Sequence, residues 1–307
     1  MAYPIITDYK NALRNFEGRF ATLKPKPFFD HQGEPIFWAG NFAVVFKAYV
    51  EGRDEAVAIK CFINDLPDLE KRHRGVSLTI DKLKARYLID VQYIPDELYV
   101  TSNIAPSGDY PVLVMPWVEG ETLGAVIERQ CVNQNRRGLA AITKAWANLC
   151  LDMLGKKIAH GDLKHDNVLI TTDGQLRLID YDSMFVPALA KFDSIAIGGP
   201  SYQHPRRDYY HFDKALDHFS MLVIILSLRA LIVDPSLYET YNTGQNMIFT
   251  ADDFVSGGRS ALFMQLRKSP DPVVREWTEL LIKVMQSKSI AVPRIERILK
   301  LARKTEV

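Results

Sequence analysis

Short runs of β-branched and aromatic residues, Phe42 to Val50, Ala56 to Phe62, Glu97 to Ser102 and Pro111 to Met115, predict the strands of a small antiparallel sheet. Between the second and third runs, Asp68 to Leu88 is polar, with Leu69, Val76, Ile80 and Leu83 recurring periodically and an Asp opening the segment after Pro67; this spacing predicts a helix. Upstream, Pro25, Pro27, Gly33 and Pro35 punctuate the chain and close an extension of residues 1–35 that holds an early helical segment. Beyond Gly120 the texture turns helical: Leu123 to Arg129, Leu139 to Lys157, Phe212 to Val233, Ala261 to Leu266 and Val273 to Ser287. One hairpin interrupts it, with NVLI and QLRLI flanking Asp173-Gly174, whose tolerance of positive φ suits a tight connection. The pattern predicts an α+β chain: a small antiparallel sheet with one helix, then a larger, mostly α part.

Composition narrows the function classes. The 307 residues are 47% hydrophobic and 24% charged, the profile of an ordinary globular protein with room for a sizeable core. A formal net charge of +1 supplies no global field toward nucleic acid or an anionic membrane, so neither is expected as a partner. Cys61, Cys131 and Cys150 lie far apart without C-x-x-C spacing, which argues against a disulfide framework or a zinc site and for a cytoplasmic location. The N-terminal residues lack a basic stretch followed by an apolar one, so no secretory signal is expected. The most apolar run, Phe219 to Val233, is shorter than the roughly 18 residues of a membrane span and contains Arg229; it reads as a buried helix. In HPRRDYYHFD, the spacing of His204, Arg206, Arg207 and His211 matches no usual metal-ligand set, and a substrate-facing basic patch is the better functional reading.

The chemistry gathers at the outer ends of the hairpin. His160-Gly161-Asp162-Leu163-Lys164-His165-Asp166-Asn167 leads into its first strand, and Asp180 follows its second. A hairpin brings its two ends together, so Asp162, Asn167 and Asp180 converge with Lys164. That set offers oxygen ligands for a hard cation beside a carboxylate able to accept a hydroxyl proton. It suits metal-assisted phosphoryl transfer, which depends on positioning and charge neutralisation more than on a strong protein nucleophile. His160 reads as a hydrogen-bonding scaffold, not a proton shuttle.

With these residues in view the sequence resembles the protein kinase superfamily. GNFAVV, Val57-Ala58-Ile59-Lys60, HGDLKHDN and Asp180-Tyr181-Asp182 stand in the family's order across about residues 36 to 290. The resemblance implies a two-lobed kinase-like fold, with an N-lobe over 36–115, a hinge and C-lobe over 116–307, and ATP with Mg²⁺ bound between them. It assigns Lys60 to the α- and β-phosphates, Asn167 and Asp180 to magnesium, Asp162 to the acceptor hydroxyl and Lys164 to the transferred phosphoryl group. Met115-Pro116-Trp117-Val118 resembles the hinge, with Met115 as gatekeeper; Val45 and Ala58 would roof the adenine, and Gly40 is the surviving glycine of the phosphate loop. GGPSYQHP resembles the end of the activation segment, and Asp217-His218-Phe219-Ser220 the opening of the buried helix of the large lobe.

The sequence also departs from the family pattern. Trp38 and Ala43 replace two loop glycines, Gly161 replaces the arginine of H-R-D, Asp182 the glycine of D-F-G, and Arg206 the glutamate of A-P-E. For the helix glutamate that pairs with Lys60, Glu70 is expected ahead of Asp81. The implied activity is transfer of the ATP γ-phosphate to Ser/Thr hydroxyls of a protein substrate, as in compact bacterial Ser/Thr protein kinases. A pseudokinase scaffold and a small-molecule kinase of the aminoglycoside phosphotransferase kind are the alternatives.

Overall fold

In a computed structural model that describes residues 2–305, the chain divides into two compact units, one ending at Val118 and the other beginning at Glu119. The first contains α1 (Ile6–Arg14), β1 (Pro25–Pro27), β2 (Phe37–Ala39), β3 (Ala43–Val50), β4 (Val57–Phe62), α2 (Leu69–Leu83), β5 (Gln92–Val100) and β6 (Gly108–Pro116). The strands form an antiparallel sheet in the order β1-β3-β4-β6-β5, with β2 also pairing β3. β4 is buried at every position, although a strand with one wet face would alternate. Both of its faces are covered. Val57, Ile59 and Cys61 share a core with Tyr9, Ala12 and Leu13 of α1, and on the alternate positions the Phe62 ring lies 5.3 Å from His73 of α2. Tyr9 anchors α1 by donating its hydroxyl to the Phe62 carbonyl at 2.7 Å.

The N-terminal residues are therefore part of this unit's core. A second tie is Glu97 on β5, fully buried, whose carboxylate accepts from Thr22 N, Thr22 Oγ1 and Leu23 N at 3.1, 2.7 and 2.7 Å. Three donors offset the cost of removing its charge from water.

The second unit begins with β7 (Gly120–Thr122), α3 (Leu123–Val132) and α4 (Arg136–Lys156), followed by the hairpin β8 (Val168–Thr171) and β9 (Leu176–Leu178). Gly174 supplies the turn at φ +79°, as the Asp-Gly dipeptide predicts. β7 extends the hairpin to a small sheet in the order β7-β8-β9. After single 3₁₀ turns at Pro187–Leu189 and Pro200–Tyr202 come α5 (His218–Val233), α6 (Ser236–Tyr241), α7 (Ala251–Val255), α8 (Ala261–Leu266), α9 (Pro272–Gln286) and α10 (Ile295–Ala302).

α5 is the apolar run, buried almost all round and packed against α4, α9 and α10. The helix starts at His218, later than the pattern suggested at Phe212. Arg229 is accommodated by an ion pair with Asp271 at 2.6 Å, and Asp271 also caps α9 through Val273 N at 2.7 Å. No described helix is long and apolar enough to cross a membrane.

Candidate active site

The loop 160–167 is held from behind by Asp217, the residue before α5. Its fully buried carboxylate accepts from His160 N and, at 2.9 Å, from Gly161 N. Burial pushes this carboxyl above its usual range, opposed by His160 and by the two backbone donors. The His160 ring is bonded through Nε2 to the Ile179 carbonyl at 2.8 Å, the scaffold role that its sequence context suggested.

Gly161 has φ +82°, and a Cβ at that position would run into the Ser183 carbonyl. The reason is a short bridge in which Ala159 and Phe185 exchange backbone hydrogen bonds at 3.0 and 2.7 Å, drawing residues 183–185 over the loop. The arginine of H-R-D could not occupy this backbone, so its replacement by glycine is a steric necessity here.

Asp162 sits next, and both of its carboxylate oxygens accept hydrogen bonds. Gly199 N donates to Oδ1 at 2.7 Å and Asn167 Nδ2 to Oδ2 at 3.0 Å, while Lys164 Nζ is 3.8 Å from Oδ2. Asn167 Nδ2 also donates to the Asp162 carbonyl at 2.8 Å, which directs the amide nitrogen toward Asp162 and leaves the amide oxygen for another ligand. Asp162, Lys164 and Asn167 thus form one cluster. The Ile179 amide donates to the Asn167 carbonyl at 3.0 Å, closing the hairpin ends, and the next residue is Asp180, exposed and at φ +68°. A non-glycine residue in the left-handed region is uncommon and tends to mark functional positions.

In the first unit the strand register aligns the expected nucleotide residues. Val45 pairs with Lys60, and Ala58 with Met115, so these four side chains share one face of the sheet. Lys60 is 5% exposed, and Val118 is half-buried at the end of the unit. Gly40 is exposed, and a Cβ there would make only ordinary contact, 3.7 Å from the Ala43 carbonyl, so no steric demand fixes glycine at this position.

A cluster that the sequence did not suggest, of Trp38, Trp117 and Lys47, lies on this face. Trp38 pairs with Val45, its ring lies 4.7 Å from that of Trp117, and Lys47 Nζ stands 4.8 Å over the Trp117 ring. The spread of aromatic residues over β2, β3 and the end of β6 hid this cluster, because only the register brings them together.

The expectation for Glu70 is corrected. Leu69, Arg72, His73, Val76 and Ile80 are the buried residues of α2, which puts Glu70 on the outer face, where it is exposed and bonded to Arg74 at 2.7 Å. Asp81 faces outward too, paired with Lys84. The basic patch is corrected as well: Arg207 is 6% exposed and His204 is buried against the Val284 carbonyl at 2.9 Å, so neither faces a substrate. Among the described residues no group of three or more His, Cys, Asp or Glu could hold a metal ion. The remaining metal candidates are Asn167 and Asp180, the pattern of one carboxylate plus substrate oxygens that magnesium accepts.

The family model for the protein kinase domain matches residues 36–289. Curated relatives include the serine/threonine-protein kinase PknL of Mycobacterium bovis and of Mycobacterium tuberculosis, each 25% identical over 180 residues. The alignment covers 51% of this chain and 45% of each relative, so the chain spans a little under half of the length of those proteins.

Proposed function

The chain belongs to the protein kinase domain family, and from that premise we propose that it is an ATP-dependent kinase that transfers the γ-phosphate to Ser/Thr hydroxyls of a protein. The observation that carries this reading is the carboxylate of Asp162, fixed through both oxygens by Gly199 N and Asn167 Nδ2 and neighboured by Lys164 Nζ. A carboxylate so held is oriented before substrate arrives, which is what a proton acceptor for a hydroxyl needs. Lys164 supplies the cation for the transferring group.

Mg-ATP fits the residues present. With Asn167 Nδ2 committed to Asp162, its amide oxygen is the atom for a hard cation, and Asp180 adds a carboxylate. Bound magnesium would neutralise phosphate charge. Lys60 takes the phosphates, with Val45, Ala58, Met115 and Val118 around the adenine and Gly40 in the loop before β3. Ser/Thr acceptors are supported by Lys164 and by the similarity to the serine/threonine-protein kinase PknL. The three cysteines are free and buried, in keeping with a cytoplasmic setting.

A second reading, a pseudokinase that binds nucleotide and transfers little, is favoured by one observation: the buried face of α2 presents Arg72 and His73 where a carboxylate is expected. Radiolabelled ATP with purified protein and a panel of protein acceptors separates the two, followed by phosphoamino-acid analysis. Transfer to Ser or Thr supports the kinase. Transfer no greater than that of Asp162→Asn supports the scaffold.

A further inference from the structure

Arg207 is a buried cation that the kinase signature leaves without a task. Nη1 donates to the Gly161 carbonyl at 2.7 Å and to Gln203 Oε1, and Nη2 donates to the Ala196 carbonyl at 3.2 Å. The two ends of Gly161 are therefore held from opposite sides, its N–H by Asp217 and its carbonyl by Arg207. The same guanidinium grips residues 196 and 203, which bracket Gly199, the donor to Asp162 Oδ1.

Gly198 lets this segment lie on the loop. It has φ +84°, and a Cβ there would stand 2.7 Å from Asp162 Oδ1, 2.9 Å from Gln203 Nε2 and 3.1 Å from the Gly161 carbonyl. Asp217 and Asp162 are the anionic neighbours that keep a buried guanidinium charged; burial lowers Arg207 to about 10, still cationic at neutral pH.

We propose that Arg207 is the positioning residue of Asp162: it fastens the segment 196–203 to the loop 160–162, so that the Gly199 amide meets the Asp162 carboxylate without any phosphate on the segment. The role rests on the kinase reading above. It explains how the loop works with Gly161 in place of an arginine, because the guanidinium arrives from 46 residues downstream and binds the carbonyl of that very glycine. Two serines upstream of the segment fit the same picture: Ser183 and Ser194 are buried, and Ser194 Oγ donates to the Ala196 carbonyl at 2.6 Å, so neither offers a hydroxyl to a modifying enzyme. Ser201, within the segment, is partly exposed and is the serine that the phosphatase arm of the test below addresses.

A lysine at position 207 keeps the charge but cannot present the planar fork that reaches three separate acceptors. Arg207→Lys and Arg207→Met are therefore compared with wild-type full-length protein for kcat, for Mg-ATP affinity by calorimetry and for melting temperature. Arg207→Lys is expected to lower kcat about 10- to 100-fold, the scale of a misplaced catalytic group, with Mg-ATP affinity within about threefold. The decisive measurement is a double-mutant cycle with Asp162→Asn. If Arg207 acts through Asp162, Arg207→Lys costs less than about threefold in the Asp162→Asn background.

Equal, multiplicative losses in both backgrounds overturn the role, as does a lowered melting temperature with unchanged kcat per nucleotide-binding site. Wild-type activity that falls on phosphatase treatment and returns on rephosphorylation also overturns it. If Arg207→Met does not fold, Arg207→Lys and the cycle decide alone. Wild-type protein that binds Mg-ATP but transfers nothing overturns the kinase reading and this role together, whereas active wild type with unaffected Arg207 variants overturns this role only.

Discussion

Replacing Asp162 by asparagine preserves size and shape but not hydrogen-bond logic. The carboxylate accepts from Gly199 N on Oδ1 at 2.7 Å and from Asn167 Nδ2 on Oδ2 at 3.0 Å. An asparagine there has one acceptor oxygen and one donor nitrogen, so in either orientation its NH₂ faces another donor. Asn167 Nδ2 has a second acceptor in the Asp162 carbonyl at 2.8 Å, so the favoured orientation keeps the side-chain oxygen on Gly199 and turns the NH₂ toward Asn167. A buried donor left facing a donor costs about 1–3 kcal/mol. For a domain of this size that lowers the melting temperature by roughly 2–4 °C per kcal/mol, hence about 2–12 °C in all. The effect on transfer is much larger, because the charge that accepts the hydroxyl proton is gone: about 10² to 10⁴ in rate. Calorimetry should still show Mg-ATP binding within a few-fold of wild type, since Asp162 is assigned to the acceptor and not to the nucleotide. Radiolabelled transfer, calorimetry and a melting curve on the same preparation test all three. Transfer within about threefold of wild type refutes the proton-acceptor role, and an unchanged melting temperature refutes the donor count.

Gly161→Ala combines a left-handed φ, about 1–2 kcal/mol for a residue with a Cβ, with an overlap on the Ser183 carbonyl that forces the backbone to move at about 1–3 kcal/mol. A melting temperature lower by about 4–20 °C is expected, and a wild-type value refutes the packing described for the loop. Mg-ATP at about 100 times its Kd should stabilise the protein by about 2.7 kcal/mol. Lys60→Ala and Asp180→Asn should remove most of that gain; no shift of the wild-type melting curve at millimolar nucleotide refutes the nucleotide site. Burial lowers the proton affinity of His165, His204 and His218 in the folded state. The unfolded chain then binds more protons below about pH 6.5, so stability is full above that pH and falls as pH drops through it toward the folded values. Melting temperatures from pH 7.5 to 5.5 should decline, and a flat profile refutes neutral burial of these rings.

Features written in neighbouring residues were legible without coordinates. The β-branched and aromatic runs of the strands, the Asp-Gly turn of the β8–β9 hairpin and the Val57-Ala58-Ile59-Lys60 run each depend on a few neighbouring residues, and hairpin closure then implied that the residues at its ends meet. Sharing of one face by Val45, Ala58, Lys60 and Met115 follows once the strands pair in the observed register.

What tertiary structure decided lies in contacts between distant stretches. The face of α2 that turns inward is set by what it packs against, and its polar sequence left Glu70 and Asp81 as the candidates until packing buried Arg72 and His73 and left both acidic residues outside. The N-terminal segment became a layer of the core because Tyr9 reaches the Phe62 carbonyl across 53 residues and Glu97 binds Thr22 across 75. The same holds at Asp162. Its place beside Lys164 and Asn167 is local, whereas its fixation by Gly199 across 37 residues depends on Arg207 being buried beneath the loop. An arginine in a run of polar residues reads as a surface charge by composition alone; only the backbone carbonyls that surround it in the folded chain, Gly161 and Ala196, supply the acceptors that make its burial possible.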